Sequence, residues 1–143
     1  MIQATLAFVF DKKLSQVLLI KKEKPVVHAG LLNGLGGKLE TGESHLECVM
    51  REIEEEAGLK IAAGKWQRVG DLFWENWNVS IWTCVIDVPK NHTFPDQNVN
   101  WYAASPVPKN SIENLEWLIP LSVDVNKKRI DKLTNVPRVT ITY

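Results

Sequence analysis

The sequence predicts an α+β domain, on three observations. Stretches rich in apolar and β-branched residues, led by Ile2 to Phe10 and Val79 to Val88, read as strands. Between them, Ser44 to Gly58 repeats its apolar residues at three- and four-residue spacing, as an amphipathic helix does. The chain has 143 residues, enough for one domain with a real core, and no repeat, linker or low-complexity tract divides it.

In chain order, Ile2 to Phe10 is a buried strand, Asp11-Lys12-Lys13 a turn, and Gln16 to Lys21 a returning strand. Lys21, Lys22 and Lys24 follow, either as a solvated strand end or facing a polyphosphate. Pro25 to Leu32 reads as a loop leading to a short strand, and its lone His28 is not taken as a ligand. After the helix, Gly58 to Gly64 is expected to form a turn with a short strand. Lys65 to Trp74 and Val79 to Val88 then form a hairpin joined by Glu75-Asn76-Trp77-Asn78. Of the six tryptophans, Trp66 and Trp82 are assigned to the core. Phe73, Trp74 and Trp77 lie near the hairpin tip, where a ring either packs or stacks on a planar ligand. Pro89 to Asn100 is a polar loop, and Trp101-Tyr102 a further short strand. Asn110, with Glu113 three residues on, is expected to cap a second helix through Ile112, Leu115 and Leu118, which Pro120 ends or kinks. Lys127 to Tyr143 closes with an alternating, strand-like run.

The central helix carries the chemistry. Ser44 caps it, Glu47 completes a capping box, and Gly58 suits a left-handed C′ position. Leu46, Val49, Met50, Ile53 and Ala57 give one apolar face. Glu52, Glu55 and Glu56 share another face, where like charges repel and something positive must offset them. An acidic run is usually a solvated face, but such a face would interleave lysines, and here only Arg51 interrupts it. The turn Gly34-Leu35-Gly36-Gly37 comes just before, where backbone must approach something closely. Hard divalent cations take carboxylate oxygens together with substrate phosphates, and this helix beside an open turn suits them.

Composition narrows the alternatives. With 17 basic and 17 acidic residues, no overall field favours nucleic acid or a membrane surface. Two cysteines, Cys48 and Cys84, give no disulfide framework or zinc spacing, and read as buried thiols in a reducing compartment. The first residues have no basic leader and too short an apolar run to cross a bilayer, so the expected location is cytoplasmic.

The stretch Gly37 to Leu59 resembles the signature of the Nudix hydrolases: Gly, five residues, Glu, seven residues, Arg-Glu, apolar, any, Glu-Glu, any, Gly, apolar. Gly37, Glu43, Arg51, Glu52, Ile53, Glu55, Glu56, Gly58 and Leu59 fill every fixed position, in a motif covering 23 of 143 residues. The seven non-apolar positions would match by accident with odds on the order of 10⁻⁸ to 10⁻⁹ per start point. Weaker similarity extends through the flanking segments. Asn33-Gly34-Leu35-Gly36-Gly37-Lys38 is similar to the sequence preceding the signature in MutT-type members, which hydrolyse purine nucleoside triphosphates, including oxidised guanine nucleotides.

The resemblance implies one Nudix domain over residues 1–143, an α/β/α sandwich around a mixed, mostly antiparallel curved sheet. It implies that Glu52, Glu55, Glu56 and the Gly36 carbonyl ligate Mg²⁺ or Mn²⁺, with Glu52 also accepting a proton from water. Arg51 would orient the glutamates and screen their mutual repulsion, and Glu43 would brace the turn or reach the metals through another ligand. Members bring a further acid, most often Glu, from the later loop, and Asp96 is what this chain offers there. Asn33 would contact the base, unless it is simply a turn asparagine before glycine. Lys22, Lys38, Phe73 and Asn114 complete the expected substrate-binding set, with Glu113 an alternative to Asn114. The expected activity is hydrolysis of a nucleoside triphosphate, such as 8-oxo-dGTP, to monophosphate and pyrophosphate. ADP-ribose, a dinucleotide or capped RNA is the alternative substrate, and a silent nucleotide-sensing Nudix module the alternative of another class. The expected partner is a nucleotide, with no membrane and no stable nucleic-acid complex, in a monomer or homodimer.

Overall fold

A computed structural model describes residues 1–87 and 91–128. The strands are β1 (Ile2–Asp11), β2 (Gln16–Lys21), β3 (Leu32–Asn33), β4 (Gln67–Trp74), β5 (Trp77–Ile86) and β6 (Val99–Ala103). The α-helices are α1 (His45–Ala57) and α2 (Leu115–Asn126), with 3-10 turns at Val26–His28 and Ala63–Lys65.

The sheet is organised by how β1 is shared. One edge of β1 runs parallel to β5 through ten residue pairs, from Ile2↔Trp77 to Asp11↔Ile86, and β5 pairs antiparallel with β4. The other edge meets β2 only at Phe10↔Val17. Beyond that point β1 and β2 diverge. β3 fills the gap on the β2 side, while the glycine-rich turn bridges to β1 through Ala7↔Leu35 and Ala4↔Lys38. β6 pairs with β2. The glycine turn is thus an inserted segment of the sheet rather than a free loop.

Alternation along β1 feeds two cores, because successive side chains leave a strand on opposite faces. Ala7 and Val9 join Leu18, Leu35, Val49, Ile53 and Ala57 beneath α1. Ala4, Phe8 and Phe10 join Leu19, Ile81, Leu115, Leu118 and Ile119 beneath α2. Burying each large apolar side chain contributes about 1.5–3 kcal/mol, so both helices are held mainly by these layers. The result is the expected α+β sandwich, with a mixed sheet between two helices.

The α1 ends are as the sequence requires. Ser44 accepts from the Glu47 N–H at 3.1 Å, and Glu47 accepts from the Ser44 N–H at 3.0 Å. Gly58 takes φ 67°, where a side chain would be strained. Other expectations need correction. No strand is assigned between Gly58 and Gly64; instead a 3-10 turn leads to Trp66, which is buried with the α1 core. Trp77 and Asn78 belong to β5, leaving a two-residue connector with Glu75 at φ 48°. α2 starts at Leu115, not after Asn110, because residues 110–112 bond to Leu32: Leu32 N–H to the Asn110 carbonyl at 2.8 Å, and Ile112 N–H to the Leu32 carbonyl at 2.9 Å. Pro120 lies inside α2 and does not end it. It is exposed, and the buried face formed by Leu115, Leu118, Ile119, Ser122 and Val125 offsets the lost backbone bond. β5 ends at Ile86, and the closing strand expected near the C-terminus lies outside the described residues.

Candidate active site

Arg51 is the hub of the helical face. Its Nε donates to Glu43 Oε2 at 2.7 Å and its Nη2 to Glu43 Oε1 at 2.9 Å, a two-pronged contact. Nη1 donates to Glu52 Oε1 at 2.9 Å and to Glu55 Oε2 at 3.3 Å, and Nη2 also reaches the Lys38 carbonyl at 3.2 Å. With Glu40 at 3.7 Å from Nη1, one guanidinium therefore offsets four carboxylates and ties the helix to the glycine turn. The Arg51 hydrogen bonds hold the Glu43 carboxyl down to about 2. Glu43 in turn accepts from the Glu40 N–H at 3.1 Å, bracing the chain ahead of the helix.

Glu56 is on the far side of the same face, and its Oε1 accepts from the Gly36 N–H at 3.1 Å. Burial first, then the neighbouring Glu52 carboxylate, push it up to about 8, with Lys22 acting weakly in the opposite sense. Burial and like charge both disfavour its ionised form. The glycines are a geometric requirement. A Cβ at Gly36, where φ is 153°, would collide with the Thr5 backbone, and one at Gly37 would lie 2.5 Å from Glu52 Oε1. Beneath the turn, Cys48 Sγ lies 3.2 Å from Thr5 Oγ1 and 3.5 Å from the Gly37 carbonyl, a contact the sequence reading did not anticipate.

Among the described residues, no three His, Cys, Asp or Glu side chains converge as a ready-made metal cluster. Glu52 and Glu56 adjoin, whereas Glu55 is turned onto Arg51. The donor chemistry nevertheless fits a hard divalent cation: oxygen ligands only, with burial and the adjoining Glu52 carboxylate disfavouring charge on Glu56 where a bound cation would offset it.

Beside this face a cavity of about 810 Å³ opens between the sheet and the start of α2. Lys22, Asn33, Gly36, Gly37 and Lys38 line it, as do Trp74, Trp77, Glu113 and Asn114. The Trp74 and Trp77 rings are stacked with centroids 6.0 Å apart, and Lys38 Nζ lies 5.4 Å from the Trp77 ring centroid. Asn33 Oδ1 accepts from the Gly34 N–H at 2.8 Å, so it shapes the turn and lines the cavity together.

The sequence profile of the NUDIX domain matches residues 2–134. The chain belongs to the Nudix hydrolase family. Solved structures of the same fold include a mutator MutT protein from Bacillus halodurans, at 22% identity over 100% of this chain and 90% of that one, TM-score 0.62. A MutT protein from Methanosarcina mazei Go1 shares 20% over 89% of this chain and 96% of that one, TM-score 0.66. The C. elegans Ap4A hydrolase shares 16% over 88% and 98%, TM-score 0.69. At these identities the likeness is one of fold.

In this Nudix fold, two expected residues stand apart from the rest. Phe73 is not among the cavity-lining residues, while Leu72 and Trp74 are, as strand alternation requires. Asp96 sits near the end of the Nudix helix, its N–H 3.4 Å from the Glu56 carbonyl, but its Oδ1 accepts from the Asn98 N–H at 2.8 Å. Its carboxylate serves its own turn. His28, set aside from sequence, lines the cavity; no spacing pattern pointed to it. Among the described residues no helix is long and apolar enough to cross a membrane.

Proposed function

We propose that this Nudix domain hydrolyses a nucleoside triphosphate, with an oxidised purine nucleotide such as 8-oxo-dGTP as the favoured target, to nucleoside monophosphate and pyrophosphate. The observation that carries this reading is the composition of this cavity. Tryptophan and aliphatic side chains line it with Asn33 and Asn114, and so do Lys22, Lys38 and the Gly36–Gly37 turn, which touches Glu52 and Glu56 of the glutamate helix. That set, apolar and amide groups with two lysines beside a carboxylate-bearing helix, suits a base, a phosphate chain and the cations phosphates carry.

Glu52, Glu55, Glu56 and the Gly36 carbonyl would hold Mg²⁺ or Mn²⁺. Bound there, the ion supplies charge neutralisation on the phosphate oxygens and a more acidic water. The chain's own groups do the rest. Glu52, fixed by Arg51 at 2.9 Å, takes the proton from the attacking water at its carboxylate. Arg51 and Glu43 keep that carboxylate from rotating away. Lys22 and Lys38 bind the phosphate chain, and Trp74, Trp77, Asn33 and Asn114 fix the base so that attack is in line. The free buried thiols Cys48 and Cys84 accord with a cytoplasmic, reducing setting for a monomer or homodimer.

The test is a Mg²⁺-dependent screen of nucleoside triphosphates, oxidised purine triphosphates, ADP-ribose, dinucleoside polyphosphates and capped RNA, with products identified. Triphosphate cleavage to monophosphate and pyrophosphate is expected. Turnover confined to ADP-ribose, dinucleotides or capped ends would move the substrate, and cleavage of none would overturn the reading.

A further inference from the structure

The Lys38–Trp77 contact raises a question that the proposed reaction does not answer. A lysine that binds phosphate has no need of an aromatic ring, yet Lys38 Nζ rests 5.4 Å from the Trp77 centroid inside the same cavity. Its backbone is fixed while its side chain is not. The Gly37 carbonyl accepts from Thr5 N–H at 2.9 Å, Leu39 N–H donates to the Gln3 carbonyl at 3.0 Å, and the Lys38 carbonyl accepts from Arg51 at 3.2 Å. Among the described residues the Lys38 ammonium enters none of the ion pairs. Lys38 is exposed, and a cation over a ring at an exposed site is a weak contact. A charge-assisted bond to a phosphate oxygen is the stronger one.

From this we infer that Lys38 exchanges partners: it rests on Trp77 in the free protein and leaves it for the phosphate chain, uncovering the indole for the base. Lys38 and Trp77 are then a specificity-determining pair. A ligand with phosphates draws the cation off the ring before its base arrives, whereas an unphosphorylated nucleoside must displace the cation unaided. Phosphate binding to the lysine and base binding to the ring are thereby coupled, and the coupling is reciprocal. Trp74, stacked on Trp77 at 6.0 Å, keeps the indole in place when the lysine departs. The inference rests on the proposed binding of a nucleotide's base and phosphates in this cavity.

The experiment follows the lysine side chain itself. In the full chain, the Lys38 Hε protons, identified by their loss in Lys38→Arg, should resonate upfield of the other lysines because of the Trp77 ring current. Trp77→Leu should abolish that displacement. Saturating wild-type protein with methylenediphosphonate and Mg²⁺ should abolish it too, while Lys22 shows no upfield start point. An undisplaced Lys38 signal in the free protein, or one that stays upfield at saturation, would overturn the exchange, as would failure of the diphosphonate to bind. The wild-type titration stands even if Trp77→Leu does not fold. Triphosphate cleavage with an unmoved Lys38 signal would retire this inference alone. Release of Lys38 in a protein that cleaves no triphosphate would retire the substrate reading alone.

Discussion

Replacing Gly36 and Gly37 by alanine, one at a time, separates the turn's role in the fold from its role in the site. At Gly36 the new Cβ would drive into the Thr5 carbonyl, 2.8 Å from its carbon, at a φ of 153°. Neither β1 nor the turn can yield locally, so the segment must retreat by about 1 Å to restore ordinary van der Waals contact. That breaks the pairing held by Thr5 N–H to the Gly37 carbonyl at 2.9 Å, Ala7 N–H to the Leu35 carbonyl at 2.6 Å, and Leu35 N–H to the Ala7 carbonyl at 3.2 Å. Three backbone bonds at about 1 kcal/mol net each, with about 1–3 kcal/mol for the φ, give a loss of about 4–6 kcal/mol. At Gly37 the collision is instead with the Glu52 carboxylate, at 2.5 Å from Oε1, and a side chain can swing aside. Gly37→Ala should thus leave stability within about 1 kcal/mol while misplacing Glu52 and lowering turnover at least tenfold. Urea unfolding gives the first quantity: Gly36→Ala should lower the midpoint by about 2–3 M, taking a slope near 2 kcal/mol/M. A Gly36→Ala midpoint within experimental error of wild type, or equal losses in both variants, would refute the reasoning.

Three further outcomes are expected. Glu55→Gln and Glu56→Gln should each cut Mg²⁺-dependent turnover by orders of magnitude with the fold intact by circular dichroism; near wild-type rates at limiting Mg²⁺ in both would remove the metal assignment. In metal-free buffer, stability should fall as pH rises from about 4.5 to about 8, because the unfolded chain releases the Glu56 proton while the fold retains it, at no more than about 1.4 kcal/mol per pH unit. Glu56→Gln should flatten that slope, and an unchanged slope in chelator-treated protein would contradict the assignment. Below pH 4.5 the opposite limb belongs to Glu43, whose contribution is lost as pH falls toward about 2. Arg51→Lys keeps the charge but cannot contact Glu43 twice while holding Glu52, so stability should drop by about 1–2 kcal/mol and kcat more than KM; a variant changed only in KM would argue against its orienting role.

The α1 region was legible because local rules governed it. Ser44, Glu47 and Gly58 act within one turn of the ends they define, and Leu46 to Ala57 face inward by spacing alone. The gathering of Arg51 with Glu43 and Glu52 was implied by the signature, since two of the three are sequence neighbours. What escaped was decided at long range. Asn110 and Glu113 carry a capping pattern, but the bonds from Leu32 to residues 110–112 claim that backbone first. Pro120 is a helix breaker in isolation, yet it falls on the exposed side of a helix anchored by Leu118 and Ile119. Phe73 and Trp74 are equally aromatic, and only the register of β4 against β5 determines which one faces the cavity. Asp96 is the acid the later loop offers, and its place in that loop says nothing of the turn its carboxylate closes with Asn98. Cys48 is the buried thiol the sequence implies, but no spacing pointed to its contacts with Thr5 and the Gly37 carbonyl.

The parallel union of β1 with β5 orders events during synthesis. Residues 2–11 leave the ribosome some 75 positions ahead of their partner on one side, residues 77–86. The glycine turn is fastened to the opposite edge of that same early strand. A nascent chain thus carries the whole carboxylate signature long before the strand it leans on is secured. Catalytic competence arrives late, as a consequence of topology, and a truncated translation product would own every signature residue without a scaffold to align them.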